Sequence, residues 1–278
     1  MKKLLLASTA LVMTAGYAAA EVSLSGDGRM GIAYDSAAAE ELSFNSRARV
    51  TFTLSGETDG GLAFGGSFRA DNAGGASNGS AGSVFISGEF GRLTMGDTSG
   101  AAEFIVGDLA EVGFTGLSTL NENVYLTNAN RPNARYDYTM DGFTVAVSVE
   151  NPGVANFGYS VAVGYEMDGF MGGIGYEKIE GGADHVIGYV GATFSGVDAK
   201  LTYGDNSTLG DQYGLSVSTT FDATTVTAFA RNDFNDDTHY GLGAAYDLGG
   251  GASLVGGIVR NDAGTGSTLA DFGLKFKF

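Results

Sequence analysis

Alternation with a period of two constrains this chain more than any other feature. From Leu42 onward, Phe44, Ser46, Ala48, Val50, Phe52 and Leu54 share one parity, and Ser43, Asn45, Arg47, Arg49, Thr51 and Thr53 share the other. The last residues repeat the pattern, with Phe272, Leu274, Phe276 and Phe278 alternating with Asp271, Gly273, Lys275 and Lys277. Successive strand side chains point to opposite faces, so each segment carries one apolar face and one polar or small face. The 46 glycines among 278 residues reinforce the β reading, because each interior Gly costs a helix about 1 kcal/mol relative to Ala. They follow no period of three and Pro numbers only 2, which excludes a collagen-like chain.

Short turns interrupt the alternation at Asp59-Gly60, Phe90-Gly91, Asp141-Gly142, Asp168-Gly169, Ser195-Gly196, Asp222-Ala223 and Gly249-Gly250. Most suit two-residue hairpins, where Gly or Asp tolerates positive φ. The last five begin at 141, 168, 195, 222 and 249, a constant spacing of 27 residues. That period fits two strands, a tight turn and a looser loop. The looser connections are polar and lie near 35–40, 71–79, 98–133, 151–156, 178–182, 205–209, 233–237 and 262–266. Seven tight turns and eight loops join sixteen strands. The fourth is expected at 80–89, and those at 92–97, 134–140, 143–150 and 197–204 look short.

The N-terminus reads differently. Met1-Lys2-Lys3 is a short positive region, Leu4 to Val12 is apolar, and Ala18-Ala19-Ala20 precede Glu21. This is the three-part pattern of a secretory signal peptide cut after Ala20. Cleavage removes Lys2 and Lys3, leaving 13 basic against 32 acidic side chains, so the formal charge goes from -17 to -19. Clustered basic residues are what phosphate contacts need, so nucleic acid is a poor partner. With 0 Cys, disulfides, thiol nucleophiles and Cys-built metal sites are excluded.

An even strand count, tight turns at one end and longer loops at the other are the pattern of an outer-membrane barrel. The non-apolar faces are rich in Gly, Ser, Thr, Asp and Arg, as expected of a wall that lines water; a sandwich would bury its inner faces in a dry core. Closure also pairs every strand edge, which an open sheet in lipid cannot do. About sixteen strands leave room for an aqueous channel. Phe44, Tyr34, Phe90, Phe143, Phe170, Phe194, Phe221, Tyr246 and Phe278 fall near strand ends, where interfacial aromatics belong. The expected fold is all-β: a sixteen-stranded antiparallel transmembrane β-barrel, with a leader at 1–20, the barrel at 21–278 and a constriction loop at 98–133.

Several stretches carry a specific resemblance. Residues 21–34 (EVSLSGDGRMGIAY), 44–56 (FNSRARVTFTLSG), 61–69 (GLAFGGSFR), 90–97 (FGRLTMGD), 240–253 (YGLGAAYDLGGGAS) and 271–278 (DFGLKFKF) resemble the general diffusion porins of Rhodobacter and related alphaproteobacteria, and Gly107-Asp108-Leu109 with Glu111-Val112-Gly113-Phe114 resembles their third loop. The resemblance implies a homotrimer of sixteen-stranded barrels with the third loop folded inside as a constriction. It also implies outer-membrane lipid and lipopolysaccharide as surroundings, small hydrophilic solutes as cargo, and recognition of the C-terminal Phe278 by barrel assembly machinery. It raises a structural calcium ion near Asp108 and Glu111, oxygen donors of the kind that ion takes; no other cofactor is implied.

The connection at 98–133 combines Glu103, Asp108, Glu111 and Glu122 with Phe104, Ile105, Val106, Leu109 and Phe114. So much apolar surface has to pack against something. Folding inward braces it and turns the carboxylates to the lumen; a lid over the mouth or a contact with a neighbouring subunit are the alternatives. One helical turn is expected at 101–106. Strand parity puts Arg29, Arg47, Arg49, Arg69 and Arg135 on non-lipid faces, giving a basic wall opposite the acidic loop or a tight pairing of Arg47 and Arg49 with the loop carboxylates. Gly28 and Gly31 are small enough to let subunits approach along strand one, and Glu21 is expected to meet the terminal carboxylate.

These features point to passive diffusion of small hydrophilic solutes and ions with a mild cation preference; a substrate-selective sugar or anion pore is the alternative. An enzyme is the more distant rival, resting on His185 and His239, the 2 histidines; a structural or adhesive barrel with an obstructed lumen is another.

Overall fold

The computed structural model describes residues 20–73, 76–79, 81–127 and 130–278. All of the expected leader except Ala20 lies outside them. The described strands are β1 (Glu21–Asp35), β2 (Leu42–Glu57), β3 (Ala63–Ala73), β4 (Ala76–Gly79), β5 (Ser83–Gly88), β6 (Gly91–Gly96), β7 (Asn133–Met140), β8 (Phe143–Val149) and β9 (Gly158–Met167). They continue with β10 (Phe170–Ile179), β11 (Asp184–Phe194), β12 (Val197–Asn206), β13 (Gly210–Phe221), β14 (Thr224–Asn232), β15 (Thr238–Gly249), β16 (Ala252–Asn261) and β17 (Ser267–Lys277).

Each strand pairs antiparallel with its chain neighbours, and β1 pairs with β17 from Asp27↔Lys277 to Asp35↔Leu269, closing the sheet on itself. β4 pairs with the far half of β3 and β5 with its near half. The two are one wall strand in two pieces, so the barrel has sixteen strands. The fourth strand therefore begins before residue 80, and the connection expected at 71–79 is largely a hairpin. The alternation could not reveal this: Ala76-Ser77-Asn78-Gly79 carries no apolar parity. Gly82, at the junction, has φ +75 and leaves no room for a side chain, since a Cβ there would stand 2.7 Å from the Ser67 carbonyl oxygen.

The tight turns follow their residues. Asp141-Gly142, Asp168-Gly169 and Ser195-Gly196 all have positive φ at both positions, 51° and 83°, 53° and 81°, and 51° and 80°. These are the conformations that match the twist of a two-residue hairpin. Beside them, Phe143, Phe170, Phe194 and Phe221 stand on the outer surface as part of a rim of aromatics.

Burial is inverted relative to a water-soluble protein. On β9, Tyr159, Val161 and Val163 are exposed while Ser160 and Ala162 are buried. An apolar outer band over a polar or small inner face is what hydrocarbon outside and protein or water inside require. No described helix is long and apolar enough to cross a membrane; the strands do the crossing.

Two expectations about the chain ends are corrected. Phe278 pairs with Gly26, each peptide N–H donating to the other's carbonyl at 3.2 and 2.8 Å. Glu21 lies five residues further along β1, ~17 Å away at ~3.3 Å per residue, so the two termini do not meet. Gly31 shares the inward parity of Arg29, so it does not face a neighbouring subunit; only Gly28 is on the outer parity.

Candidate functional site

The connection between β6 and β7 spans 97–132 and turns into the barrel. Its helix α1 (Ala101–Val106) begins after Gly100, which has no side chain to cap it. The wall supplies the cap: Ala101 N donates to Ser148 Oγ at 2.8 Å and Ala102 N to Ser160 Oγ at 2.9 Å. These satisfy N–H groups that a helix start leaves unpaired.

From the helix onward, the loop lies on a track of glycines. A Cβ on Gly175 would sit 2.6 Å from Ala102 Cβ, one on Gly214 2.4 Å from Leu109 Cδ1, one on Gly243 3.0 Å from Val112 Cβ, and one on Gly257 2.6 Å from Gly113 N. The loop's Leu109, Val112 and Leu117 pack there with wall residues Phe229, Val259 and Leu269. Its apolar residues thus form the dry core of an otherwise wet interior.

Buried wall carboxylates hold the loop backbone. Glu177 accepts from Leu126 N (3.0 Å), Thr127 N (3.1 Å) and Thr127 Oγ1 (2.6 Å), and faces His185 Nδ1 at 2.9 Å. Glu150 accepts from Asn130 N at 3.1 Å and Gly158 N at 2.8 Å. Gln212 bonds both ends of the Val124 peptide. Lys200 Nζ donates to the carbonyls of Val106 and Asp108. A buried ionised group is tolerable only when it is this fully paired.

Between the loop and the uncovered wall is a cavity of about 1130 Å³. It brings together six of the nine expected charged residues: Arg29, Arg47 and Arg49 on the wall, and Asp108, Glu111 and Glu122 on the loop. Arg69 does not border it, lying beside Asp71 with Nε 2.7 Å from Oδ1. Arg135 and Glu103 do not border it either. Arg135 is buried beneath the loop, with its guanidinium 3.7 Å from the Phe104 ring centroid and bonded to Thr98, Ser99 and Asp137. It anchors the loop's first residues and is no part of the water-facing wall. Parity gave its side of the sheet correctly; what covers that side depends on where the loop lies. Nor do Arg47 and Arg49 pair with loop carboxylates. Their partners are strand neighbours, Asp27 and Asp71, each at 3.0 Å.

Sequence reasoning missed Asp27, Asp71, Lys275 and Lys277, although all four share the inward parity of the arginines. Lys275 stands directly across from Arg29, which stands across from Arg47, a row that only the register reveals. The cavity lining carries five bases and five acids. Apart from Asp27 and Asp247, the acids are on the loop. Burial raises the Asp108 carboxyl above its ordinary range, opposed by the Asn123 N–H bond at 2.8 Å and by Lys200. Burial also raises Glu122, and the negative charge of Asp108 adds to the effect.

The resemblance raises a calcium ion near Asp108 and Glu111, both of which line this cavity. Asp108 Oδ1 is committed to Asn123 N, and among the described residues no three His, Cys, Asp or Glu side chains converge to hold a metal. His185 faces Glu177 and Gln212, and His239 faces Asp233.

The Gram-negative porin family matches residues 7–266. A porin of Rhodobacter capsulatus is 39% identical over 93% of this chain and 100% of its own length, and one of Fuscovulum blasticum is 29% identical over 93% and 100%. Among solved structures, a porin refined at 1.8 Å resolution is similar with a TM-score of 0.81 and 37% identity, over 93% of this chain and 100% of that one. A mutant of Rh. blastica porin shares the fold, with a TM-score of 0.78 at 23% identity over 92% of this chain and 100% of its own. The closed sixteen-stranded wall, the inverted burial and these likenesses agree: the chain belongs to the Gram-negative porin family and is a diffusion channel of the outer membrane.

Proposed function

We propose that the channel passes small hydrophilic solutes and ions passively, with a weak preference for cations, and that the loop at 98–133 is its constriction. The carrying observation is the segregation of charge around one cavity, with Arg29, Arg47, Arg49, Lys275 and Lys277 on β1, β2 and β17 and Asp108, Glu111 and Glu122 on the loop. Opposed rows of charge set up a field across the lumen. Water between them carries ions and polar solutes, whereas an apolar solute disrupts ordered water and gains nothing in return. The lining is balanced in sign, so the preference comes from the charge of -19 expected after leader removal, and ionic screening keeps it weak. Its side chains are charged, small or aliphatic except for buried Phe114 and Phe276, which has the outward parity. That favours general diffusion over a sugar pore with an aromatic track.

The family likeness supports further parts of the reading: removal of residues 1–20 on export, assembly as a homotrimer, and contact with lipopolysaccharide. The terminal Phe278, exposed on the outer surface, suits recognition by barrel assembly machinery. The test is planar-bilayer conductance of the purified mature oligomer, with a salt-gradient reversal potential from the same preparation. Ohmic steps in groups of three with mild cation preference are expected. Repeated insertion without current would contradict the reading.

A further inference from the structure

Among the described strands, only one adjacent pair, β1 and β17, has no chain connecting its members, because these are the first and last strands. The inner face of that seam has a gap: Gly31 stands directly across from Gly273, and a Cβ on Gly31 would fall 2.6 Å from Gly273 Cα. The tip of the long loop fills it. Phe114 is fully buried, with its Cζ 3.0 Å from that same position.

The two strands hold the same two residues of the tip, one through their N–H groups and the other through their carbonyls. Asp271 on β17, itself 6% exposed, accepts from Phe114 N at 3.1 Å through Oδ1, and from Thr115 N at 2.7 Å and Thr115 Oγ1 at 2.6 Å through Oδ2. Arg29 on β1 donates through Nη1 to the carbonyls of Phe114 at 3.3 Å and Thr115 at 3.2 Å. Gly113 lets the chain pass, since its φ is +80 and a Cβ would stand 2.5 Å from Asp271 Oδ1.

We propose that Asp271 is the positioning residue of the constriction: with Arg29 it seats the loop tip across the β1–β17 seam, so the narrow zone takes shape only when the barrel has closed. Before closure, Asp271 and Arg29 are separated and neither alone completes the cradle. After closure, the tip bridges the one junction that no connecting segment secures. Asp271 borders no part of the cavity itself; it acts through the backbone that carries Glu111 and Gly116. The proposal rests on reading this loop as the constriction.

The chain has 0 Cys, so a cysteine placed in the tip reports on seating by itself. Val112→Cys, at a buried position 2% exposed, is combined with Asp271→Asn, which removes an ionised acceptor with little change in shape. The full-length oligomer is treated with a water-soluble maleimide, and its conductance is measured in parallel. Labelling is expected to run roughly ten-fold faster than in Val112→Cys alone, since local opening exposes the thiol, while the oligomer stays folded. Unchanged protection in a folded Asp271→Asn oligomer would overturn the proposal. If Asp271→Asn does not assemble, Asp271→Glu carries the test, because it keeps the charge and displaces the carboxylate from the tip; faster labelling supports the clamp and native protection overturns it. Labelling and conductance separate the two claims: faster labelling at native conductance leaves the clamp standing and rejects the loop as constriction.

Discussion

From β8 to β17 the inner wall meets the loop through glycines, serine hydroxyls and buried carboxylates, whereas β1 to β3 turn Arg29, Arg47, Arg49 and Arg69 toward the lumen. Both regions have the same outward apolar parity and the same strand pairing. They differ in what covers the inner face. Under the loop, apolar side chains pack closely and buried wall side chains hold the loop backbone. On the uncovered side, Arg47 and Arg49 pair with the strand neighbours Asp27 and Asp71, and only Arg29 reaches the loop tip. In the reading proposed above, charge in the covered region serves position, and Arg47 and Arg49 on the uncovered side serve selection among solutes.

The sharpest way to break this comparison is volume. Gly257→Val would push a side chain into Gly113 N, backbone that cannot step aside. Overpacking of this kind costs typically 1–3 kcal/mol, and we expect an unseated loop with raised conductance or a loss of assembled oligomer. Ser43→Val, at an inward position on β2, is the matched control. Native stability and conductance for Gly257→Val would show that the loop does not depend on the glycine track.

A smaller but still large effect is expected from charge under the loop. Glu177→Gln removes the acceptor of three loop donors at a fully buried site. Leaving a buried donor without its acceptor costs about 1–3 kcal/mol, part of which the amide recovers by accepting through its own oxygen. A lower unfolding temperature in detergent, with a wider range of open-state currents, is expected. On the uncovered side, Arg47→Gln with Arg49→Gln removes partly exposed pairs worth about 0–1 kcal/mol. Stability should hardly move while the reversal potential shifts toward stronger cation preference. A large fall in stability with no shift in potential would exchange the roles assigned to the two regions.

The mildest effect concerns pH. The Asp108 and Glu122 carboxyls are raised by burial, and in Glu122 also by the charge of Asp108. Both take up protons above the ordinary carboxylate range of about 4, while the arginines keep their charge. Cation preference should therefore decline on acidification before exposed carboxylates titrate. A reversal potential constant down to about pH 4 would contradict this.

The wall was legible in the sequence because its two signals, alternation and tight-turn residues, are local. The repeat of 27 placed the turns at 141, 168, 195 and 222, but fell one residue early on the last, where a register shift at Asp247 carries β15 through Gly249 and leaves Gly250-Gly251 as the turn. The break between β4 and β5 escaped because Ala76-Ser77-Asn78-Gly79 carries no apolar alternation. For the site, parity put Arg29, Arg47 and Arg49 on the lumen side, and the composition of 98–133 implied an inward fold. Arg135 could not be told apart from them, since only the loop's path decides whether an inward arginine meets water or Phe104. Asp27, Lys275 and Asp271 were hidden for a related reason: their roles depend on the register of β1 against β2 and β17, and on a loop more than 150 positions away from Asp271 in the chain.

The most direct test of the account compares two variants in one salt gradient: Arg47→Gln with Arg49→Gln, and Asp108→Asn with Glu111→Gln and Glu122→Gln. The account requires reversal potentials displaced in opposite directions from the native channel, toward cations in the first and toward anions in the second. Equal potentials in all three channels, or displacement of both variants in the same direction, would contradict an opposed wall and loop as the selecting element.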